Sequence, residues 1–276
     1  MAHRRDPVAP VKRLRHEIEL DKRFAGTASS RWWRLHPKLA AWRLVSRLVG
    51  SAFPRDFDGV DTELCLRVSP YTMTPPERIY ALARAVEYTV GRQLPGAMVE
   101  CGVWRGGSMM VVALTLLRLG VTDRELYLFD TFEGMTEPSE EDVKYSGERA
   151  TDILARTSRD SNVWGVAPLE QVREAVLSVG YPEERIHFVK GAVEETLPTS
   201  APEEIALLRL DTDWYSSTKH ELLHLYPRLV HGGVLMLDDY GFWRGARQAV
   251  DEYLAENEVV LLLDRIDEEA RIAIKT

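Results

Sequence analysis

Apolar and polar positions fall into a repeating pattern from residue 97 onward, in which short apolar runs alternate with segments of helical spacing. The runs are five to eight residues long and nearly uninterrupted, which is typical of strands buried on both faces of a sheet. They are AMVECGV (97–103), LYLFD (126–130), IHFVKG (186–191), EIALLRLD (204–211) and GGVLMLDD (232–239).

Apolar residues at helical spacing predict the segments around these strands. One helix is expected to follow Thr74 as its N-cap, with Pro75 in the first turn and Gly91 near the end. Later helices are expected over residues 106–120, 168–180, 217–229 and 244–257. The alternation of strand and helix predicts an α/β fold, with a mostly parallel sheet covered by helices on both faces.

The C-terminal residues predict a different kind of pairing. VVLLLDRI (259–266) and ARIAIKT (270–276) flank the polar triplet DEE, a pattern that favours an antiparallel hairpin and makes the predicted sheet mixed. Earlier in the chain, the polar stretch 134–167 is expected to be a long irregular insertion and a candidate lid.

Charge separates the beginning of the chain from the rest. Residues 1–50 hold 12 Lys and Arg against 4 Asp and Glu, whereas the remaining residues hold 23 against 39, within a net charge of −8. The acidic body argues against nucleic acid as the substrate. We therefore expect a basic helical arm over 1–60, packed on its own domain or on a second subunit, and a large domain over 61–276. An acidic partner or a membrane surface is the alternative interpretation of the arm.

Composition also indicates the compartment in which the protein is expected. The longest apolar runs are shorter than the roughly 20 residues that a membrane span needs. The basic start of the chain has no apolar core behind it, so a signal peptide is not expected. Cys65 and Cys101 are the two cysteines, which fits a reducing cytoplasm. Neither a membrane nor a nucleic acid is an expected partner.

Acidic residues stand where the predicted strands leave the core. In an open parallel sheet, ligands bind outside the carboxyl ends of the strands, near the point where the strand order reverses. Unpaired carboxylates on one rim repel each other, so a bound cation or a ligand with many donors is expected there. The residues concerned are Glu100, Asp130, Asp211, Asp238 and Asp239.

Three of these residues form a candidate metal site. Asp211, Asp238 and Asp239 offer hard oxygen ligands on adjacent strand ends, which suit Mg²⁺, Mn²⁺ or Ca²⁺ and not zinc. The structural alternative is that Asp238 and Asp239 cap the following helix while Asp211 pairs with an arginine.

A glycine-containing turn, VECGVWRGGS (99–108), predicts a close approach of the backbone to a ligand. Its glycines do not form the three-glycine dinucleotide fingerprint, and a tight strand-to-helix turn without a ligand is the alternative. Asp130 has the position of an acid that accepts hydrogen bonds from ribose hydroxyls. Met73 is a candidate to cover a cofactor.

Five longer motifs stand out in the chain. They are VECGVWRGGSMM, LYLFDTFEGM, RIHFVKGAVEETLP, ALLRLDTDWYSSTKHELLHLYPRL and GGVLMLDDYGFWRGARQAVDEY. Together they resemble the macrocin, mycinamicin and novobiocin type of sugar O-methyltransferase, and the resemblance covers roughly residues 65–276.

The resemblance implies a class I methyltransferase fold (a Rossmann-like mixed sheet), S-adenosylmethionine as methyl donor, and Mg²⁺-dependent transfer to a sugar hydroxyl of a glycosylated natural product. It implies that Asp211, Asp238 and Asp239 bind the metal and that Asp211 is also the general base. The residues implied to line the cofactor are Met73, Glu100, Gly102, Ser108, Asp130, Thr131, Phe132, Gly191, Ala192 and Val193.

A small-molecule glycoside is therefore the expected partner, and a homo-oligomer the expected assembly. Two other functions use the same sheet. A nicotinamide-dependent oxidoreductase would be expected to carry the three-glycine turn and a catalytic Tyr/Lys or His pair. A non-catalytic cofactor-binding module would not need carboxylates at all three metal positions.

Overall fold

A seven-stranded mixed sheet forms the centre of the computed structural model, which describes residues 53–276. The strands are β1 (Ala97–Cys101), β2 (Leu126–Asp130), β3 (Ile186–Lys190), β4 (Ile205–Leu210), β5 (Leu229–Leu237), β6 (Asp264–Arg265) and β7 (Arg271–Ile274). Their order is β3-β2-β1-β4-β5-β7-β6. The first five strands pair in parallel, and β7 pairs antiparallel with both β5 and β6. The predicted mixed sheet is confirmed.

Helices connect the strands and form a layer on each face, as predicted. In the described part of the chain they are α1 (Gly59–Val68), α2 (Pro76–Gly91), α3 (Gly107–Arg118), α4 (Ala150–Arg156), α5 (Leu169–Leu177), α6 (Val193–Thr196), α7 (Tyr215–Leu225) and α8 (Arg244–Glu256). One layer contains α2, α3 and α5, and the other contains α6, α7 and α8. Each helix layer buries apolar side chains of the sheet, which is why the strands are apolar on both faces.

The pleat of β1 places a charged side chain in the interior. Val99 and Cys101 pack in the core cluster that contains Val250 of α8. Glu100 lies between them in sequence, so it points to the opposite face of the sheet. Its register partner in β4 is Arg209. A strand-to-strand pair of opposite charges therefore occupies the middle of the sheet.

The strand order reverses between β1 and β4. In open parallel sheets, ligands bind in the crevice at such a reversal. Backbone pairing continues to the ends of these strands. The amide of Asp211 donates to the carbonyl of Cys101 at 2.9 Å, and the amide of Gly102 donates to the carbonyl of Phe129 at 2.9 Å. The carboxyl ends of β1, β2 and β4 are therefore held together at one rim.

The start of α2 differs from the prediction. Pro75 is the N-cap residue and Pro76 begins the helix, and no side chain caps this terminus. Proline is suited to a first helical position because it lacks the N–H that would stay unpaired there. The predicted N-cap role of Thr74 is wrong, and its hydroxyl instead accepts a hydrogen bond from Arg209 Nη2 at 3.3 Å.

The C-terminal hairpin is shorter than the apolar run predicted. Only residues 264–265 of the first segment pair with β7, while residues 259–263 lie outside the sheet. Val259, Leu261 and Leu263 pack against the core, whereas Val260 and Leu262 are 87% and 85% exposed. The run therefore covers the core with alternate side chains and needs no partner strand to do so.

The boundary between two compact units falls between Arg67 and Val68. Residues 53–67 of the first unit are described, and most of α1 lies there, a helix that the sequence analysis did not predict. The proposed basic arm over 1–60 falls mainly outside the described residues, so its role stays a prediction. Within residues 53–276, no helix combines the length and apolar character that crossing a membrane requires.

Candidate active site

A cavity of about 490 Å³ opens at the carboxyl ends of the strands. This volume lies within the roughly 300–1,000 Å³ that is usual for small-molecule sites. One wall, here called the glycine side, contains Gly102, Ser108, Asp130 and residues 191–193. A second group of lining residues, here called the acidic side, contains Asp211, Asp213, Asp238 and Asp239.

Gly102 lets the two central strands meet beneath the cavity. Its φ is +80°, and a Cβ atom at this position would lie 2.0 Å from the carbonyl oxygen of Asp211. Any side chain would therefore push the end of β1 away from the end of β4. The glycine is required by this backbone approach, so the strand-to-helix turn has a structural reason as well as a candidate ligand.

Asp130 braces the glycine side. Its Oδ2 accepts hydrogen bonds from the amides of Val103 at 2.7 Å and Trp104 at 2.9 Å, and its Oδ1 accepts one from the amide of Phe132 at 2.6 Å. Trp104 and Phe132 have φ values of 48° and 55°, a left-handed conformation that non-glycine residues rarely adopt. Asp130 thus stabilises two strained residues beside the cavity, and Oδ1 keeps capacity for a further donor.

Most of the predicted cofactor residues lie on the cavity wall. Those that line it are Met73, Gly102, Ser108, Asp130, Thr131, Gly191, Ala192 and Val193. Glu100 and Phe132 do not line it. Phe132 is buried near Phe188, and Glu100 is 1% exposed beneath the cavity. A direct cofactor contact for these two residues stays a prediction, while their observed contacts are internal.

The three predicted metal ligands converge on the acidic side. Asp211, Asp238 and Asp239 each offer a carboxylate oxygen, and these atoms lie within 4.8 Å of one another. The set contains only hard oxygen donors, which fits a cation of the Mg²⁺ or Mn²⁺ type. The alternative that Asp238 and Asp239 cap the next helix does not hold, because no side chain caps the start of α8.

Arg209 connects the acidic side to the core and is 2% exposed. Its Nη1 donates to Asp211 Oδ2 at 2.7 Å and to Glu100 Oε1 at 2.6 Å. Its Nη2 donates to Asp238 Oδ1 at 2.6 Å. The predicted alternative in which Asp211 pairs with an arginine is therefore seen, and the same side chain also takes part in the convergence of the three aspartates.

Arg78 of α2 supplies a second guanidinium. Its Nη1 donates to Asp238 Oδ2 at 2.5 Å, and its Nε donates to Asp267 Oδ2 at 2.6 Å. It also pairs with Glu269. Both oxygens of Asp238 are thus held by arginines, which fixes the carboxylate while each oxygen keeps a second lone pair.

Negative charge exceeds positive charge in this cluster. Burial raises the pKa of Glu100 to about 7, although Arg209 acts in the opposite direction. Burial and the neighbouring carboxylates also raise the pKa values of Asp211 and Asp239. The carboxyl groups therefore repel one another despite the two guanidinium groups, and additional positive charge would be stabilised here.

Asp213 is a site residue that the sequence analysis did not single out. Burial, and then the charge of Asp211, raise its pKa to about 7. Its Oδ1 accepts a hydrogen bond from Trp243 Nε1 at 2.7 Å, and its amide donates to Asp239 Oδ2 at 3.2 Å. Its φ of 68° turns the chain sharply between β4 and α7. The strained backbone and the two hydrogen bonds fix this carboxyl at the cavity wall.

The insertion over 134–167 is more ordered than expected. It contains α4, whose Ile153 and Leu154 pack in a small core with Trp214 and Trp243. Trp214 is 2% exposed and does not line the cavity, so its role is in packing. The expected irregular insertion thus contains short helices, and its apolar residues complete a cluster with residues from other parts of the chain.

Comparison with known proteins identifies the family. The model of the family Macrocin-O-methyltransferase (TylF) matches residues 55–273. The chain is 34% identical to demethyldecarbamoylnovobiocin O-methyltransferase of Streptomyces niveus over 197 residues, which are 71% of this chain and 72% of that protein. It is 36% identical to 8-demethyl-8-(2,3-dimethoxy-alpha-L-rhamnosyl)-tetracenomycin-C 4'-O-methyltransferase of Streptomyces olivaceus over 183 residues, 66% of this chain and 67% of that one.

A solved structure agrees with these relatives. The O-methyltransferase NovP superposes with a TM-score of 0.67 at 32% identity, over 75% of this chain and 82% of that chain. The fold is that of class I methyltransferases, as the sequence motifs implied, and the nicotinamide-dependent alternative has no support. On the family match, the sequence identities and the shared fold, the chain belongs to the macrocin O-methyltransferase (TylF) family.

Proposed function

We propose that the protein transfers the methyl group of S-adenosylmethionine to a sugar hydroxyl of a glycosylated natural product, with a divalent cation of the Mg²⁺ type. The observation that carries this proposal is that one cavity is lined by both sets of residues. The glycine-containing end of β1 and three aspartates, whose carboxylate oxygens lie within 4.8 Å of one another, line the same cavity.

The glycine side fits the methyl donor. S-adenosylmethionine supplies an activated methyl group, so the protein's part is to bind and orient the two reactants. Ser108, the second residue of α3, lines the cavity together with Gly102, and a helix start favours a carboxylate. Asp130, braced by three amides, is placed to accept a ribose hydroxyl on Oδ1. Residues 191–193 form the adjoining wall.

The acidic side fits the cation and the acceptor. Asp211, Asp238 and Asp239 would hold the ion, and Arg78 and Arg209 fix the direction of two of these carboxylates. A divalent cation in this place supplies Lewis-acid polarisation, which acidifies a hydroxyl group and orients it. Without the cation, the carboxylates repel an oxygen nucleophile, so the fit concerns charge as well as geometry.

Proton acceptance requires a carboxylate that is not already engaged by an arginine or by the candidate metal site. Asp211 was the predicted base, but Arg209 bonds one of its oxygens and the metal cluster uses its side chain as well. Asp213 lines the same cavity, is oriented by Trp243, and is not part of the ligand set. We therefore favour Asp213 as the group that takes the hydroxyl proton during methyl transfer, with Asp211 as a metal ligand.

The rim of the cavity fits an acceptor that is larger than a free sugar. Met73 and Val163 line the cavity and are 59% and 48% exposed, and Phe242 lies on the same lining. Apolar groups of this size at an opening mark a surface that binds another apolar group. The names of two relatives describe substrates related to novobiocin and to a rhamnosyl tetracenomycin, which supports a sugar attached to an apolar scaffold.

Mass spectrometry of glycosides incubated with S-adenosylmethionine tests the proposal. We expect one added methyl group on a sugar hydroxyl oxygen. Treatment with EDTA should abolish product formation, and added Mg²⁺ should restore it. A protein that methylates no glycoside of a broad panel would refute the acceptor class. Turnover that persists in fully chelated protein would refute the metal requirement.

Single substitutions separate the two aspartates. Asp213→Asn should lower turnover by about 10²–10⁴-fold, the usual contribution of a general base, while Mn²⁺ affinity stays near that of the wild type. Asp211→Asn should weaken Mn²⁺ binding together with turnover. Asp123→Asn, an exposed aspartate outside the cavity, is the matched control and should change neither quantity. If Asp213→Asn turns over normally, the proton acceptor is Asp211 or another group.

A further inference from the structure

The start of α7 takes its cap from a distant segment. Trp214 is the N-cap residue and makes no side-chain cap hydrogen bond. The first amides of a helix have no partner within the helix and need an external acceptor. Asp142, in the insertion, supplies one: its Oδ1 accepts a hydrogen bond from the amide of Tyr215 at 2.8 Å. The carboxylate also suits the positive end of the helix dipole.

Asp142 is itself held rigidly. It is 0% exposed, and its Oδ2 accepts hydrogen bonds from the amide of Ser139 at 2.7 Å and from its hydroxyl at 2.8 Å. The carbonyl of Asp142 accepts the amide of Ala150, the first residue of α4, at 2.8 Å. Gly245 of α8 gives the carboxylate its space, since a Cβ there would lie 2.3 Å from Oδ1.

The capped amide lies two residues after Asp213. The residue between them, Trp214, donates its Nε1 hydrogen to the carbonyl of Thr136 at 3.1 Å, so the insertion holds this turn at two successive residues. Asp213 has a φ of 68°, a conformation that costs free energy unless the surroundings enforce it. The insertion is therefore in contact with the turn that directs the Asp213 carboxyl.

We infer that Asp142 is a positioning residue, which fixes the Asp213–Tyr215 turn by capping α7 from the insertion. The insertion thus acts on the chemistry through this contact, in addition to any function as a cover. The inference rests on the proposed function only where turnover is measured. The position of the turn can also be followed by hydrogen exchange, which does not depend on the reaction.

Three variants test the inference. Asp142→Ala removes the cap, Asp142→Asn keeps an oxygen for the Tyr215 amide, and Ser139→Ala removes a bond to Asp142 without removing the cap. We expect Asp142→Ala to lower kcat by about 10–100-fold, since a small misplacement of a reacting group has effects of this size. Asp142→Asn also turns an NH2 donor toward the Ser139 amide, so its kcat should fall between those of Asp142→Ala and Ser139→Ala. Ser139→Ala should stay within about fivefold of the wild type, and the Kd for S-adenosylmethionine should not change in any of the three variants.

Hydrogen exchange and thermal melting distinguish positioning from general stability. In Asp142→Ala, the amides of residues 211–218 should exchange faster, with little change in β1 or β2. If all three variants lose turnover in proportion to their fall in Tm, Asp142 is only structural. If Asp142→Ala keeps wild-type kcat and exchange, the inference is wrong.

The exchange experiment also separates this inference from the proposed function. A wild-type protein that methylates no glycoside would refute the function, while exchange in residues 211–218 would still decide whether Asp142 holds the turn. If Asp142→Ala fails to fold, Asp142→Asn and Ser139→Ala decide together: exchange in residues 211–218 should be faster in Asp142→Asn than in Ser139→Ala, and equal exchange in the two would overturn the inference.

Discussion

The two sides of the cavity stabilise their buried carboxylates in different ways. On the glycine side, the Asp130 carboxylate is satisfied by three backbone amides from its own neighbourhood. On the acidic side, Asp211 and Asp238 pair with arginines that come from β4 and α2, and Asp239 accepts a hydrogen bond from the amide of Asp213. Local backbone stabilises the first side, whereas the second needs long-range charge pairs.

This difference shows that the charge of the acidic side is only partly compensated by protein groups. The glycine side has its hydrogen bonds before any ligand arrives. The acidic side contains more carboxyl groups than guanidinium groups, and the pKa values of Asp211, Asp213 and Asp239 are raised as a result of burial and mutual repulsion. Substitutions and ligands on the acidic side should therefore change stability more than those on the glycine side.

Arg209→Met should have the largest effect. The variant leaves Glu100 and Asp238 buried without the guanidinium that both of them contact, and breaking a buried pair in this way costs about 3–5 kcal/mol. The free energy of unfolding in urea measures this loss. Arg185→Met is the control, because its pair with Glu125 is partly exposed and such pairs contribute only about 0–1 kcal/mol. Equal losses in the two variants would contradict the role given to Arg209.

Cation binding should have the next largest effect. Mg²⁺ at 100 times its Kd should stabilise the wild type by about 2.7 kcal/mol, because the ion binds only the folded state. Asp239→Asn should lose most of this stabilisation, since it removes one of the three converging carboxylates. Thermal melting with and without Mg²⁺ measures both, with Asp123→Asn as the control. A wild-type Tm that does not respond to any divalent cation would argue against the metal site.

Asp130→Ala sharpens the comparison from the glycine side. Losing hydrogen bonds to a charged acceptor should weaken the binding of S-adenosylmethionine by about 1.5–3 kcal/mol, or roughly 10–150-fold in Kd. The Kd for Mn²⁺ should stay within about twofold of the wild-type value. Titration calorimetry measures the two affinities separately. Glu133→Ala, three residues away, carries an exposed carboxylate and is the control. Equal weakening of cofactor and metal would mean that the two sides are not independent.

Sequence pattern predicted the elements of the sheet because they are set by local periodicity. LYLFD became β2 with the predicted bounds, and the carboxylates at the ends of β4 and β5 were correctly placed on one rim. The apolar run over 259–263 was mistaken for a strand because alternating burial has the same period whether or not a partner strand is present.

Long-range partners were harder to predict. Arg209 left a local signal, since a charge inside an apolar strand must be paired when it is buried. Arg78 and Asp142 left none: each lies in a polar stretch, and its contact depends on where α2 or the insertion packs. Asp213 stood beside the predicted ligand Asp211, but only its backbone conformation and its hydrogen bond from Trp243 separate its role from that of Asp211.

Trp243→Phe should have the smallest effect of the four predicted changes. It alters a hydrogen bond to Asp213 on the acidic side and leaves the charge of the site unchanged. The variant keeps an aromatic ring against Trp214 and removes the N–H that bonds Asp213 Oδ1. We expect turnover to fall about tenfold, equivalent to about 1.4 kcal/mol in the activation free energy, with unchanged affinities for cofactor and Mn²⁺. Trp164→Phe is the control, because its indole N–H bonds the carbonyl of Thr157 in the insertion. If the two variants lose the same small amount of turnover, the effect is one of packing, and the hydrogen bond to Asp213 does not orient the proton acceptor.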